Sequence, residues 1–323
     1  MARSRPARSP SGRRTPARGV TVGDLAAAME AVAPSRLAES WDNVGLLLGD
    51  RAASCRKVLV SVDWTPQVLA EALALRADAV VSYHPPIFDA LKRLDAADPA
   101  QGALLGAARA GIALLSPHTA YDAVQGGMTD WLAEGLAGGA REVARVAALQ
   151  PLRPACPRPS ADRSTSETAP ESALRPSPGE GAGRLLELRR DEPLSVIAAR
   201  LRRFLGAPRV DAVVAGARHR RIAICPGAGA SFLPDAVARG ATLLVTGEAR
   251  HHEQLAARAV GVSMLLAGHT WTERGCMPRL ARALSAVLAG PSFAVASSDL
   301  PPLTDPIARS LTARAARRPA RPR

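Results

Sequence analysis

Two heptapeptides in this 323-residue chain share one pattern. "SPHTAYD" (116–122) sets His118 four residues before Asp122, and "AGHTWTE" (267–273) sets His269 four residues before Glu273. Each follows an apolar run and reads His-Thr-x-x-acid. On a helix, residues four apart face the same side. Each heptapeptide therefore pairs an imidazole with a carboxylate, which is half of a divalent-metal site. Two such halves brought face to face would make a whole one. A third histidine, His84 in "VVSYHPPIF" (80–88), also follows an apolar run, in a loop stiffened by Pro85 and Pro86. One histidine at such a place is more often a cap or a surface group. Three of them, two with an acid four residues on, point to a metal.

These side chains need elements that deliver them to one place. "KVLVSVD" (57–63), "ADAVVSYHPP" (78–86) and "IALLSPH" (112–118) read as buried strands that run into loops. "TPQVLAEALALRA" and "GALLGAARAG" between them have helical spacing, the first with a cap and a proline at its start. The later half repeats the rhythm, with strands in "RRIAIC", "ATLLVTG" and "VSMLLAGH", and helices in "PLSVIAARLRRFLG", "FLPDAVARG", "HHEQLAARAVG" and "TERGCMPRLARALSAVLAG". The expected fold is α/β: two similar lobes with mainly parallel sheets flanking a central metal site. Parallel strands send their C-terminal ends to one sheet edge, where ligands bind. The expected boundaries are a basic leader (1–19), an N-terminal lobe (20–149), a Pro/Ser-rich linker (150–183), a C-terminal lobe (184–305) and a basic tail (306–323). The linker is too polar to order itself, so deleting residues 151–182 is expected to leave a foldable protein.

Other candidates carry less. His251 and His252 are adjacent, so their side chains diverge, and they are expected to open a helix. His219, in the basic turn "GARHRR", is given no role. "CPGAGAS" (225–231) joins a strand to a helix through small residues. It reads equally as a soft phosphate cradle or as a tight turn with Ser231 as the helix cap. "SWDNVG" (40–45) reads first as a turn capped by Asp42 and Asn43, with a place facing the site as the alternative for either residue.

Composition narrows the classes. The net charge is +13, but residues 1–18 and 306–323 each hold six Arg and no acid, which leaves the body near +1. A strong nucleic-acid face on the folded body is therefore not expected. The four cysteines stand far apart, with no C-x-x-C pair, which argues against a zinc knuckle and fits free thiols in a reducing compartment. No run reaches the roughly 18 apolar residues of a membrane span. The acid-free, Arg- and Ser-rich start has the composition of a mitochondrial transit peptide but lacks a clear amphipathic helix.

With these residues in hand, the chain resembles the Nif-three-like family, whose bacterial members are often labelled GTP cyclohydrolase type-two homologues. The resemblance runs through "ESWDNVGLLLG", "ADAVVSYHPPIF", "SPHTAYDA", "GGMTDWLAEGL", "AICPGAGASFLPDAVARGATLLVTGEARHHEQL" and "GHTWTER", with "SYHPPIF" and "SPHTAYD" closest to the animal branch. It implies two α/β lobes around a dinuclear centre, dimers or hexameric rings, and His84, His118, Asp122, His269 and Glu273 as metal ligands. Many members have two consecutive histidines where this chain has Tyr83 and His84. The resemblance thus implies one or two divalent ions per chain, and the carboxylate and imidazole donors suit Zn, Mn, Fe or Ni without choosing among them. It implies a metal-dependent hydrolase acting on a nucleotide or a phosphorylated small molecule. It equally implies a non-enzymatic, metal-bound co-repressor that meets transcriptional regulators in cytoplasm and nucleus.

Overall fold

The computed structural model describes residues 19–151 and 179–302. The expected leader up to residue 18, the middle of the expected linker and the expected basic tail lie outside the described residues.

The first sheet takes β1 (Gly45–Leu48), β2 (Lys57–Ser61), β3 (Ala79–Ser82) and β4 (Ala113–Ser116). Helices α1 (Val22–Val32), α2 (Pro66–Leu75) and α3 (Pro99–Ala110) alternate with them, followed by α4 (His118–Ala123) and α5 (Met128–Ala137). The second sheet takes β5 (Val143–Pro151), β6 (Gly181–Pro193), β7 (Asp211–Val213), β8 (Arg218–Ile224), β9 (Leu243–Thr246) and β10 (Ser263–Leu266). Around it run α6 (Leu194–Leu205), α7 (Leu233–Ala238), α8 (His251–Ala259) and α9 (Trp271–Arg274). Helix α10 (Met277–Val287) and β11 (Ser292–Val295) end the described chain.

Local sequence explains the helix starts. Thr21 and Asp24 close a capping box on α1, Thr65 caps α2 ahead of Pro66, and Asp98 caps α3 ahead of Pro99. Each cap accepts a backbone N–H that the first helical turn cannot satisfy itself. The strands are apolar on both faces because both are covered. In the first sheet Val58, Val60 and Val81 point to α1 and α10, while Leu59, Val80 and Leu114 point to α2 and α3. In the second, Ile222, Val245 and Leu265 meet α5 and α6, while Ala223, Leu244 and Met264 meet α7 and α8.

The strand order is β1-β4-β3-β2-β11 in one sheet and β5-β6-β8-β9-β10-β7 in the other. The strands that lead into the site run parallel: β2, β3 and β4 in the first sheet, β8, β9 and β10 in the second. Antiparallel strands flank them, β1 on β4, β7 on β10, and β5 and β6 beside β8.

The grouping of elements departs from the sequence reading in three places. The expected linker (150–183) overlaps the ladder, because β5 runs to Pro151 and pairs with β6 from Gly181. Its glycines are compatible with this strand: Gly181 has φ +142° with a Cβ position only 2.2 Å from the Gln150 oxygen, so only glycine lets the two backbones meet there. A deletion of residues 151–182 would thus cut into both strands. Second, β11 crosses back and pairs parallel with β2, Ser292 opposite Lys57, while Met277, Leu280 and Leu284 of α10 join the first lobe's core. Third, Leu132 and Leu136 of α5 pack on the second sheet. The helix expected through "TERGCMPRLARALSAVLAG" breaks into α9 and α10 between Arg274 and Met277.

The segment after β11 is held by Glu71 of α2, whose carboxylate accepts from Ser297 N (3.0 Å), Ser297 Oγ (2.9 Å) and Ser298 N (2.8 Å). Slight burial works to raise the Glu71 pKa, but these bonds outweigh it and bring it down to about 2. A depressed carboxyl stabilises the fold above its ordinary range, and that contribution is lost as pH falls from about 4.5 toward 2. Amide-exchange protection of β11 should therefore fall across that window, and in Glu71→Gln it should already be low at neutral pH and lose this pH dependence.

Candidate metal centre

The residues immediately after the parallel strands of both sheets meet in one cleft of about 690 Å³. His84 follows β3, His118 and Asp122 follow β4 on α4, and His269 and Glu273 follow β10 on and before α9. All five residues singled out in the sequence line this cleft. His84, His269 and Glu273 offer ligand atoms within 4.8 Å of one another, close enough to share one ion. Glu273 is buried between the two rings: Oε1 lies 3.2 Å from His269 Nε2, and Oε2 lies 3.5 Å from His84 Nε2. Oε2 has no hydrogen-bond partner. His118 and Asp122 are close by, with the His118 ring 5.4 Å from that of His84, but they do not join the group of three.

The three imidazoles are oriented alike. His84 Nδ1 meets Asp63 Oδ1 at 2.8 Å, His118 Nδ1 meets Asp42 Oδ1 at 2.8 Å, and His269 Nδ1 meets Glu248 Oε1 at 3.1 Å. A carboxylate on Nδ1 fixes the ring and its tautomer and makes Nε2 a stronger donor to a metal. Asp63 stands just past β2 and Glu248 just past β9, so the same sheet edges supply the orienting acids. Asp42 is tied further by Thr119, whose N–H and hydroxyl donate to its Oδ2 at 3.1 and 2.5 Å. The backbone at His118 is itself unusual, with φ +26°, a region that non-glycine residues seldom occupy and that clusters at functional sites.

Electrostatics follow from this packing of side chains. Burial works against charge on His84, but Asp63 and Glu273 outweigh it and raise its pKa to about 10. Glu273 likewise raises His269 to about 9, against the effect of burial. Burial would raise Glu273, yet His269 and His84 hold it below the ordinary carboxylate value. Asp122 behaves differently. Burial pushes it up to about 7, although the Tyr83 hydroxyl donates to its Oδ1 at 2.6 Å and pulls the other way.

The remaining sequence candidates fall into place as follows. His251 and His252 are exposed and open α8, as expected. His219 is buried against Gly216 and Thr242, away from the cleft. Neither reading of "PGAGAS" holds in full. Ser231 lies inside a 3-10 turn and does not cap α7, which has no side-chain cap. The Gly227 and Gly229 amides, which a phosphate would need, already donate to the Thr272 and Thr246 hydroxyls. What the loop supplies is closeness: Gly227 has φ +61°, and a Cβ there would stand 2.6 Å from Glu273 Oε1 and 3.1 Å from His269 Nε2.

Sequence reasoning missed Asp63, Glu248 and Asp299 and took Asp42 for a turn residue. Asp63 and Glu248 carried a usable signal, since each is the first acid past an apolar strand. Asp299 carried none. It is buried and accepts from Val62 N at 2.6 Å and Arg274 Nη1 at 2.8 Å, tying the residue beside Asp63 to the residue beside Glu273.

Fold and donor set together define a two-lobed α/β protein with a histidine–carboxylate cluster at the facing sheet edges. The chain belongs to the Duf34/NIF3 (NGG1p interacting factor 3) family, whose model matches residues 20–301. It is 33% identical to Protein NIF3 homolog of Schizosaccharomyces pombe, over 85% of this chain and 95% of that one. It is 30% identical to NGG1-interacting factor 3 of Saccharomyces cerevisiae, over 84% and 92%, and 27% identical to a GTP cyclohydrolase 1 type 2 homolog of Clostridium perfringens, over 77% and 85%. The fold is that of a Bacillus cereus protein related to NIF3, with a TM-score of 0.74 at 18% identity over 88% of this chain and 98% of that one. Among the described residues no helix is long and apolar enough to cross a membrane.

Proposed function

We propose that this chain is a divalent-metal protein whose ion is held by His84, His269 and Glu273, and that it hydrolyses a nucleotide or another phosphorylated small molecule. The observation that carries this reading is Glu273 Oε2, a buried carboxylate oxygen without a hydrogen-bond partner, set between two imidazoles whose Nδ1 atoms are taken by acids. That oxygen meets His84 Nε2 only at 3.5 Å; a buried anionic oxygen so loosely paired is costly, and a cation would hold it more closely. Two neutral imidazoles and a carboxylate suit Zn, Mn, Fe or Ni. Such an ion supplies Lewis acidity, polarising the bond to be broken and lowering the pKa of water. Asp122, buried and carrying a pKa of about 7, is suited to take up and return a proton at pH 7. His118, oriented by Asp42, faces the same space and completes the five-residue set.

The ion number follows from Tyr83. Its hydroxyl occupies Asp122 Oδ1 where an imidazole would leave that oxygen open. The reading is therefore one ion per chain. Metal analysis of purified protein should return about one equivalent, and Tyr83→His should add a second. Hydrolysis across a panel of nucleotides and sugar phosphates should be lost in Asp122→Ala while the first ion is kept. No turnover in the loaded wild type would reject the hydrolase.

A second reading is supported by the yeast relative, which is named for interacting with NGG1. On it the metal is structural, and the chain binds transcriptional regulators as a co-repressor in cytoplasm and nucleus, as a dimer or hexameric ring. It predicts partner capture that Asp122→Ala leaves unchanged.

A further inference from the structure

Large aromatic side chains are normally buried, because each removes a wide apolar surface from water. Two at the mouth of the cleft are not: Trp41 is 59% exposed and Phe88 is 50% exposed. Both line the same cavity as the histidine–carboxylate cluster. Their exposure does not come from loose loops. Asp42, next to Trp41, is bound to His118 and Thr119, and the Asn43 side chain donates to the Ile87 oxygen at 2.6 Å. The Asp42 bonds tie the Trp41 loop to α4, and the Asn43 bond ties it to the loop that carries Phe88. Trp41 also stands edge-on to the His118 ring, with centroids 6.1 Å apart. A rigid aromatic wall is thus joined directly to the donor set.

We infer that Trp41 and Phe88 form a stacking subsite for a planar heteroaromatic ring, on a ligand whose anionic end reaches the histidine–carboxylate cluster. This rests on the metal reading above and names the recognition element of the same site. Clefts of this size, with apolar walls and a few convergent polar groups, suit small molecules. The two rings are 6.0 Å apart and tilted by 49°. A ring sandwiched between them would need roughly 7 Å, twice the carbon contact distance, so the ligand ring lies on the pair and not between its members. The Gly227 and Gly229 amides are already engaged, which leaves that loop fewer donors for a phosphate, and the aromatic wall is the feature that selects the ligand's body.

The test compares GMP with ribose 5-phosphate as probes on the metal-loaded full chain. GMP is expected to bind about tenfold tighter or more, the usual contribution of a base stacked on an aromatic side chain. Trp41→Ala should erase that preference, Trp41→Phe should keep most of it, and metal content should stay at the wild-type value in both. GMP should quench tryptophan fluorescence in the wild type, and that quenching should be absent in Trp41→Phe. Equal binding of the two probes, no binding of either, or a preference that survives Trp41→Ala would overturn the inference. So would a fall in oligomeric state in Trp41→Ala with the preference intact, which would make this face a contact between copies. Failure of the metal reading is seen separately, as a chain that holds no ion whatever its preference for the ring.

Discussion

Gly227→Ala is expected to lose its metal while staying folded. Alanine at φ +61° costs about 1–3 kcal/mol of backbone strain. The larger effect is local, because the new methyl would stand 2.6 Å from Glu273 Oε1, well inside contact distance. The neighbouring loop gives no room, since Gly247 N and Glu248 N both bond the Gly227 oxygen and a Cβ on Gly247 would itself meet that oxygen at 2.6 Å. The Glu273 carboxylate must therefore turn away from His269 and His84. Affinity for Zn, read by calorimetric titration, should fall by at least roughly 100-fold, beyond what loss of an orienting group alone causes. Gly111→Ala is the matched control. It has nearly the same backbone, φ +69°, but open space around the new methyl. It should show the strain in denaturant unfolding and bind metal normally.

Glu273→Gln should be as damaging to metal binding, by a different route. The amide keeps the shape and removes the charge between His84 and His269. A neutral oxygen is a poor substitute for a carboxylate toward a divalent ion, so the expected loss in affinity is again more than about 100-fold. Glu248→Gln gives the scale for comparison. Glu248 only orients His269, at 3.1 Å, from an exposed position. Its loss should cost about tenfold, at the low end of the range for such partners. If the two substitutions cost the same, Glu273 is not a ligand.

What could be read in advance was whatever has a local signature. His84, His118 and His269 were legible because each follows a short run of Val, Leu and Ala that can only be a covered strand, and parallel strands share an edge. Asp122 and Glu273 were legible because four residues is one helical turn. Pairings across long separations left no such trace. Nothing in "PSFAVAS" tells that β11 crosses back to β2, since a four-residue strand takes its place from the ladder it joins and not from its own pattern. The orienting acids Asp63 and Glu248 were marked by their place past a strand, but which histidine each would meet was not: Asp63 and His84 are 21 residues apart, and Asp42 and His118 are 76 apart. Turn chemistry alone made Asp42 look like a cap. The glycines of "PGAGAS" were visible, but their purpose depended on Glu273 lying against them, which only the packed chain reveals.

The central claim is that one ion is shared between the two lobes, His84 from the first and His269 with Glu273 from the second. Elemental analysis of the purified wild type beside His84→Ala and His269→Ala tests it most directly. The expected result is about one equivalent in the wild type and a near-complete loss in each single variant, because neither half alone supplies enough ligands. Full metal content in either variant, with the fold intact, would contradict it.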